Sequence, residues 1–584
     1  MLALATSCRS AAEHRRAADE VALRIIASGQ QQALGRTENF TVERPSDTLR
    51  QRLIDSQLLP VAMLTRVNPT PVVSAQTAPH TLTLIEALGL GASSSREYQR
   101  RKEDVFRAAL ALDLARDAYR LTFSGLVSGL YSEDTSAEPR VAGFSETGDV
   151  GVTKVLKNGA SFATSLGIDL VKLLTGERPS ALGLVADASI SIPLLRGAGR
   201  AIASEPLTQA ERDIVYAIEE FERFKQTFAV RIASEYFAAL AQLDQVENAE
   251  ESYRRLLFVS KRSRELANAG RLPEVQVDQA RQDELRARDR VNAARESSDT
   301  QLDSLKLTLG LPADSRVIVD RAELESLTTA TREMLTSIAS RESAVAEEAG
   351  SAPTIPPRGP LELDEASAIA LALERRLDLK VALGSLEDAR RAERIAADAL
   401  RAGLELSGSA AIGEGRSLGS ADQPDSKLRF DRGFYAAGLD LDLPWERTAE
   451  RNAYRNALIE VERRLRDVEE LEDQIKSDVR FSLRVLRRAG ESYRIQIVAT
   501  ALAEQRVNST KMFRQAGRAE TRDELEAQED WLAAQDAQTA ALIDYRVGEL
   551  ELQRDLGVLH VGGDGRWEEF QPVAATDAKV GSDE

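Results

Sequence analysis

The chain has 584 residues and a formal net charge of −18, and 29% of its residues are charged while 5% are aromatic. The negative charge argues against general binding to nucleic acid, because an acidic surface repels phosphates. The single cysteine, Cys8, excludes an internal disulfide and a cysteine zinc site. His14, His80 and His560 are scattered, and no nucleophile–histidine pairing, phosphate loop or metal spacing is visible. We therefore expect no enzyme activity, no cofactor and no metal.

The N-terminal segment begins with a short apolar stretch that ends at Cys8. Ala5-Thr6-Ser7-Cys8 is a loose version of the motif that precedes a lipidated cysteine. The basic region and the full apolar core of a lipoprotein signal are missing before it. We therefore expect that the start of the sequence is truncated and that residues 1–80 contain the remnant of such a signal followed by an extended arm. The alternative is an unmodified cysteine in a frayed terminus.

The first half of the chain predicts long helices. An amphipathic helix is expected from about Thr83 to Tyr119, and a much longer one from about Glu211 to Ala269, where apolar residues recur at steps of three and four. Gly270 can take the left-handed conformation of a tight helical turn. A return helix from about Glu274 to Leu309 then stops at Leu309-Gly310. No window approaches the ~20 apolar residues that a membrane-spanning helix needs.

The second half repeats this plan. Helices are expected from about Asp364 to Arg401, from about Glu446 to Ala516 and from about Glu520 to Leu556, with a turn at Gly517. Gly517 precedes Gly557 by the same number of residues as Gly270 precedes Gly310. The same motifs thus occur in the same order in both halves of the chain, which predicts a tandem duplication. The domains expected are an N-terminal segment, a first repeat, a proline-rich linker, a second repeat and an acidic flexible tail, with boundaries at 1–80, 81–312, 313–360, 361–558 and 559–584.

Short alternating segments interrupt both repeats before the long helix. They are Leu121–Ser124, Asp187–Ile192, Leu404–Ala410 and Leu439–Leu443. Each has one apolar and one polar face, which fits either a half-buried strand of a soluble sheet or a strand of a membrane barrel with a polar lumen. Four strands cannot close a membrane barrel, because the smallest use about eight. A barrel would therefore need several chains.

The first repeat contains an additional alternating pair that the second lacks. It comprises about Val150–Val155 and Ala160–Ile168, separated by Lys157-Asn158-Gly159. Asn-Gly is typical of a tight hairpin turn. We expect a β-hairpin here, either on the outer loops or as an extension of the barrel wall.

Taken together, these motifs resemble those of the TolC-like outer-membrane efflux proteins, the outer membrane factors, over about Leu82 to Val558. The resemblance is carried by Leu82–Leu88, Ile192–Arg200, Ala269–Leu272, Leu309–Pro312, Ala516–Ala519 and Leu556–Val558. It implies a mainly helical protein with an outer-membrane β-barrel. Three copies would each give four strands to a twelve-stranded barrel, below which antiparallel helical hairpins would form a periplasmic tunnel.

The resemblance also assigns roles to residues. Asp523 and Glu526 match the acids that narrow the tunnel mouth, whereas Gln276 stands where the first tip would carry its acid. The residues expected to contact an adaptor are Gly270, Arg271, Leu272, Gly517, Arg518 and Ala519. Those expected to face the barrel lumen are Asp187, Glu405, Asp440 and Asp442.

The function implied is a passive duct in a tripartite efflux or type I secretion system. It would conduct substrate from an inner-membrane transporter, through a periplasmic adaptor, to the exterior. One alternative is a periplasmic adaptor, which needs one hairpin flanked by β-domains and fits two hairpins poorly. The other is a coiled-coil scaffold, which leaves the paired strands unexplained.

Overall fold

A computed structural model of the chain describes residues 10–42, 49–57, 59, 79–135, 141–175, 180–329, 331, 361, 363–421, 423–443, 445–516, 518–568 and 570. These residues form two compact units. The sheet unit takes the described residues of Met1–Thr37, Val105–Ile218 and Val381–Glu469, and the helical unit takes those of Glu38–Asp104, Glu219–Lys380 and Glu470–Glu584.

The principal helices are α1 (Ala11–Leu34), α2 (Leu49–Ser56), α3 (Leu84–Ser94), α4 (Arg96–Asp117), α5 (Arg200–Ala203), α6 (Glu205–Asn268), α7 (Glu274–Thr308), α8 (Glu365–Arg375), α9 (Leu377–Asp398), α10 (Thr448–Gln515) and α11 (Thr521–Asp555). The strands are β1 (His80–Leu82), β2 (Leu121–Asp134), β3 (Val141–Val155), β4 (Ser161–Leu173), β5 (Ala181–Pro193), β6 (Val317–Val319), β7 (Gly403–Glu414), β8 (Phe434–Asp442), β9 (His560–Val561) and β10 (Trp567–Glu568). Among the described residues, none of the helices combines the length and the apolar character needed to cross a bilayer.

The long helices predicted from the apolar periodicity of the sequence are confirmed. Helices α6 and α10 match the two predicted long helices to within a few residues, and α7 and α11 match the two return helices. The order of helix pair, strands, long helix and return helix occurs in both halves of the chain.

The opening helix of each half was predicted as one piece, and that prediction is wrong. Ser95 separates α3 from α4, and Arg376 separates α8 from α9, and both take extended backbone angles. Ser95 ends a run of three serines, whose hydroxyls compete for backbone hydrogen bonds. The segment predicted as an extended N-terminal arm instead contains α1, whose start is capped by Ser10.

The main sheet has six strands in the order β2-β3-β4-β5-β7-β8, and every neighbouring pair is antiparallel. The expectation of four strands is therefore wrong for this chain. The additional hairpin predicted from the Asn-Gly turn is confirmed as β3–β4, and it lies in the sheet between β2 and β5. Gly159 has a φ of 95°, which glycine adopts without the steric strain of a side chain.

Two small sheets belong to the helical unit. β1 pairs in parallel with β6, which lies within the segment expected to be a linker. β9 and β10 form a short hairpin within the segment expected to be the tail.

Aromatic packing forms the core of the helical unit. Tyr98 of α4 is 1% exposed and lies against Phe221, Phe224 and Phe228 of α6, with ring centroids 5.4–5.9 Å apart. Tyr236 lies about two turns beyond Phe228 on α6. It donates its hydroxyl proton to the carbonyl of Leu82 at 3.0 Å. These contacts fix the first opening helix against the long helix.

Charge pairs join helices in the sheet unit. The Arg212 guanidinium lies 2.6 Å from the Asp388 carboxylate, and Arg391 lies 2.8 Å from Glu205. These pairs connect the start of α6 to α9. They are partly shielded from solvent, so the cost of desolvation offsets much of their attraction, and they chiefly fix the geometry of the contact.

The return helix α7 ends at a glycine that no other residue can replace without strain. Gly310 has a φ of 76°, and a Cβ there would lie 2.4 Å from the Ser94 carbonyl oxygen. Gly35 has a similar φ of 69° but open space around it. We expect Gly35→Ala to cost about 1–2 kcal/mol through backbone strain alone, and Gly310→Ala to cost clearly more because the backbone must also shift.

Thermal unfolding followed by circular dichroism measures both variants against the parent. Equal reductions in Tm for the two variants would contradict the role given to the close approach at Ser94.

Candidate functional site

The six-stranded sheet has one continuous apolar face. The register pairs Leu404 with Leu441, Leu406 with Leu439 and Val150 with Leu166. The same face carries Phe123, Val127, Val152, Ile168, Leu184, Ile190 and Ile192. Five charged residues interrupt this face: Glu133, Glu146, Lys172 and Glu414 towards the end that carries Phe144, and Lys154 at the opposite end. A face of this kind needs an apolar environment.

The opposite face is polar and acidic. It carries Asp187, Glu405, Asp440 and Asp442, which the register places on the same side of the sheet. Ser191 donates a hydrogen bond to Glu405, and Ser407 donates one to Asp440 at 3.2 Å. Arg196 lies 2.8 Å from Asp442.

Three further acids on this face were missed by the sequence analysis: Asp134 at the end of β2 and two acids in the hairpin. Asp149 of β3 is opposite Gly167, and Asp169 of β4 is opposite Gly183. Both lie one residue outside the predicted limits of the hairpin strands, and extending the alternation by one residue would have included them. Strand β2 departs from the pattern, because Leu126 and Leu130 lie on the polar face.

Aromatic residues lie near both ends of the apolar face. Tyr131 and Phe144 are in contact at one end, with ring centroids 5.2 Å apart, and Tyr435 lies at the same end of β8. Phe162, opposite Lys154, lies about ten residues from the level of Phe144. At about 3.3 Å per residue and a tilt of about 40°, this separation is about 25 Å, the height of the apolar band of a membrane barrel.

The β7–β8 loop folds over one end of the polar face. Leu418 and Ala421 pack against Val171 and Ala181, residues that share this face with the acids. The backbone N–H of Arg416 donates to Asp169 at 3.1 Å, and its guanidinium donates to the Pro424 carbonyl at 2.7 Å. This end of the polar face is therefore narrowed by the chain itself.

The first helical tip is a tight left-handed turn. Gly270 has a φ of 70°, and the N–H of Arg271 donates to the Leu266 carbonyl at 2.8 Å. Arg271 is exposed, while Leu272 is half-buried. Val275, at the start of α7, is 76% exposed.

The second tip has the same hydrogen bond. The N–H of Arg518 donates to the Phe513 carbonyl at 2.8 Å, and Gly517 lies outside the described residues. Arg518 is exposed and Ala519 is half-buried. Met512 and Phe513 are 63% and 52% exposed, so this tip also presents apolar side chains.

The two acids expected at the tunnel mouth have partners within the chain. Asp523 accepts a hydrogen bond from the backbone N–H of Glu520 at 2.9 Å and so caps the start of α11. Glu526 lies 3.3 Å from Arg506, which also contacts Asp530. Both acids are exposed. Gln276 is half-buried on α7.

Polar contacts hold the two helical hairpins together. Arg290 of α7 lies 3.1 Å from Glu529 of α11, and Asn248 of α6 donates to Asp536 of α11 at 2.9 Å. Burial raises the pKa of Asp536, and the nearby carboxylate of Asp244 raises it further, against the opposing hydrogen bond from Asn248. The hairpins are thus joined by paired polar groups.

Two remaining predictions concern metal ions and the lipidation of Cys8. Within the described ranges, no group of three or more histidine, cysteine, aspartate or glutamate side chains is placed to hold a metal ion. Cys8, the residue expected to be lipidated, lies outside the described residues.

The capping contact of Asp523 can be tested separately from any role in conduction. Asp523→Ala removes the acceptor for the Glu520 N–H and so breaks one of the two hydrogen bonds of the capping box. The loss should destabilise the first turn of α11 by about 0.5–1.5 kcal/mol. Glu526→Ala removes only an exposed ion pair and should cost about 0–1 kcal/mol. Amide hydrogen exchange over residues 518–526 should be faster in the first variant alone, and equal rates in the two variants would contradict the cap.

The chain matches no protein-family model and no curated protein. It is similar to solved structures of outer-membrane channels. The Campylobacter jejuni CmeC outer membrane channel gives a TM-score of 0.57 at 13% identity, over 86% of this chain and 93% of that chain. The Vibrio cholerae outer membrane protein VceC gives 0.55 at 14% identity, over 81% and 96%.

The open state of the Neisseria gonorrhoeae MtrE outer membrane channel gives a TM-score of 0.52 at 13% identity, over 81% of this chain and 89% of that chain. These similarities show that the chain has the fold of outer-membrane channels. The resemblance noted in the sequence is thereby confirmed at the level of the fold.

Proposed function

We propose that this chain is the outer-membrane channel of a bacterial export system. Three copies would form a duct whose strands cross the outer membrane and whose helical hairpins lie in the periplasm. The duct would conduct substrate passively from an inner-membrane transporter and its periplasmic adaptor to the exterior. It would carry out no chemical step and need no cofactor.

The observation that supports this proposal most strongly is the chemistry of the two sheet faces. Phe123 and Leu439 of the apolar face are 69% and 62% exposed in the single chain, which an aqueous environment would disfavour. Lipid on that side and water on the acidic side satisfy both faces. The aromatic residues about 25 Å apart fit the two interfaces of a bilayer.

The helical tips support the choice of partner. Each presents an arginine, Arg271 or Arg518, beside exposed apolar side chains. A periplasmic adaptor would bind these two tips through an apolar centre with charged surroundings, the usual anatomy of a protein interface. Lipidation of Cys8 would add an anchor in the outer membrane, which remains a prediction from the sequence.

Two neighbouring residues of β8 test the assignment of the faces. Leu439→Arg places a charge on the lipid side, three residues inside the end of β8. A basic residue costs about 2–4 kcal/mol at the bilayer midplane and less towards the interfaces, so this change should clearly reduce insertion. Asp440→Leu, on the lumen side, should insert normally and change only conductance. The measurement is the amount of heat-resistant trimer in the outer-membrane fraction.

Equal insertion of both variants would show that the faces are assigned the wrong way round. A parent protein found as a monomer in the soluble fraction would refute the proposed function itself.

The tunnel mouth gives a second test. Three copies would bring six carboxylates from Asp523 and Glu526 towards one axis, and such a ring favours cations over anions. Asp523→Ala combined with Glu526→Ala should lower cation selectivity and block by multivalent cations in planar bilayers. Asp473→Ala, an exposed acid on α10 paired only with a neighbouring lysine, is the control. Unchanged selectivity in the double variant would remove these acids from the aperture.

A further inference from the structure

We propose that three copies of this chain close an eighteen-stranded barrel, in which β2 of each copy pairs with β8 of the next. The barrel itself would then be markedly wider than the twelve-stranded barrel that four strands per chain would give. The trimer in this inference rests on the proposed function. The number of strands per chain, and the identity of β2 and β8 as the edge strands, are observed in the sheet.

The additional hairpin is part of the wall because it connects β2 to β5. β2 pairs along its whole length with β3, from Leu121 opposite Lys154 to Asp134 opposite Val141. β5 pairs with β4, from Ser191 opposite Ser161 to Ala181 opposite Val171. A four-stranded arrangement would require β2 to pair with β5 directly, which would break both of these ladders.

The turn of the hairpin is fixed to the chain that follows β5. The N–H of Gly199 donates to the Asn158 carbonyl at 3.2 Å. A Cβ at Gly159 would lie 2.9 Å from both the Gly197 carbonyl oxygen and Pro193 Cγ. Such close packing is expected of a turn that belongs to the sheet, whereas a loop outside the sheet would not require it.

The chemistry of the two faces continues across the hairpin. Val150 and Leu166 extend the apolar face, while Asp149 and Asp169 extend the acidic face. Strands that lie in a membrane wall must show this alternation, whereas strands of an outer loop need not. The hairpin thus adds lipid-facing surface as well as lumen-facing charge.

The two edge strands fit a second copy of this chain. β2 and β8 end the sheet, and their side chains are exposed apart from Ser132 and Gly438. Because six antiparallel strands alternate in direction, β8 of one copy runs antiparallel to β2 of the next. Their lipid-side residues also correspond, with Phe123 and Val127 on β2 and Leu439 and Leu441 on β8.

Closure requires more than one chain. Backbone groups at an open edge cannot remain unpaired in lipid, and six strands are fewer than the smallest membrane barrels contain, about eight. Two copies would give twelve strands and three would give eighteen. With strands about 4.8 Å apart and tilted by about 40°, eighteen strands form a ring about 36 Å across, against about 24 Å for twelve.

The pairing is tested by disulfide cross-linking in a Cys8→Ser background of the full chain. A cysteine replacing Ser124 or Ser128 on β2 is combined with one replacing Ala436 or Asp440 on β8. Oxidation should link three chains covalently. Ser165→Cys on the interior strand β4, combined with the same β8 cysteines, is the control and should not link chains.

The width is tested by deleting residues 141–173, which removes β3, its turn and β4 and restores four strands. Poly(ethylene glycol) added to the outer side of a planar bilayer reports the largest polymer that enters. Because the β7–β8 loop narrows the outer end of the lumen, residues 416–429 are replaced by a short Gly-Ser turn in both proteins. The parent should then admit polymers about 1.5-fold larger in radius than the deletion variant, following the ratio of the two barrel diameters. Should the variant fail to insert, the cross-links and the mass of the parent oligomer decide alone.

The outcomes separate the inference from the proposed function. A conducting dimer, links between β4 and β8, or the same polymer cut-off in parent and variant would overturn the eighteen-stranded barrel while leaving an export channel in place. A parent that forms no oligomer and no channel would refute both.

Discussion

The pairing of backbone hydrogen bonds in the six-stranded sheet is the constraint on which the rest of the molecule depends. Within the six-stranded sheet, each interior strand has a hydrogen-bonded neighbour on both sides, so β3, β4, β5 and β7 are complete in one chain. β2 and β8 are not, and a membrane offers no water to complete them. In the proposed channel the sheet is therefore a partial wall, and the chemistry of its faces decides which side would meet lipid. The helices can be satisfied within one chain, since their backbone bonds are internal.

The two glycines that end the return helices perform the same task in both halves. A Cβ at Gly310 would collide with Ser94 beside the α3–α4 break, and one at Gly557 would lie 3.1 Å from Arg375 and Arg376 beside the α8–α9 break. Each glycine also has a positive φ, 76° and 71°. The Leu-Gly landmarks recur in the sequence because each closes a return helix against a broken opening helix. This shared geometry supports the proposed duplication, since two unrelated halves would have no reason to use it twice.

The sequence predicted those features that depend on local periodicity or turn chemistry. Long apolar stripes located α6 and α10, and Asn158-Gly159 located the β3–β4 turn. Where the outcome depends on distant contacts, the sequence was insufficient. The break at Arg376 is held by Asp378 and Asp478, 2.5 and 3.2 Å away, and no local signal marks that pairing. The six-stranded sheet likewise required knowing that β4 pairs with β5, because an alternating hairpin is compatible with a loop as well as with the sheet. The tunnel-mouth acids were chosen by position alone, and position does not reveal that Asp523 caps a helix.

The buried charges around Arg376 show how the second half differs from the first within a similar plan. The break between α3 and α4 follows a short run of serines. The break between α8 and α9 instead contains the guanidinium of Arg376, which is 5% exposed and must be neutralised by nearby carboxylates. Burial alone would raise the pKa of Asp378, but the hydrogen bond from Arg376 and the charge of Arg223 outweigh it and hold that pKa below its usual value. The carboxylate therefore stabilises the fold above its unfolded pKa, and this contribution is lost as the pH falls through the lowered folded value. A buried pair of this kind is a weak source of net stability but a strong penalty against misplacement. It favours one arrangement of α8, α9 and α10, which suits the proposed duct, whose helices would have to align with those of two further copies.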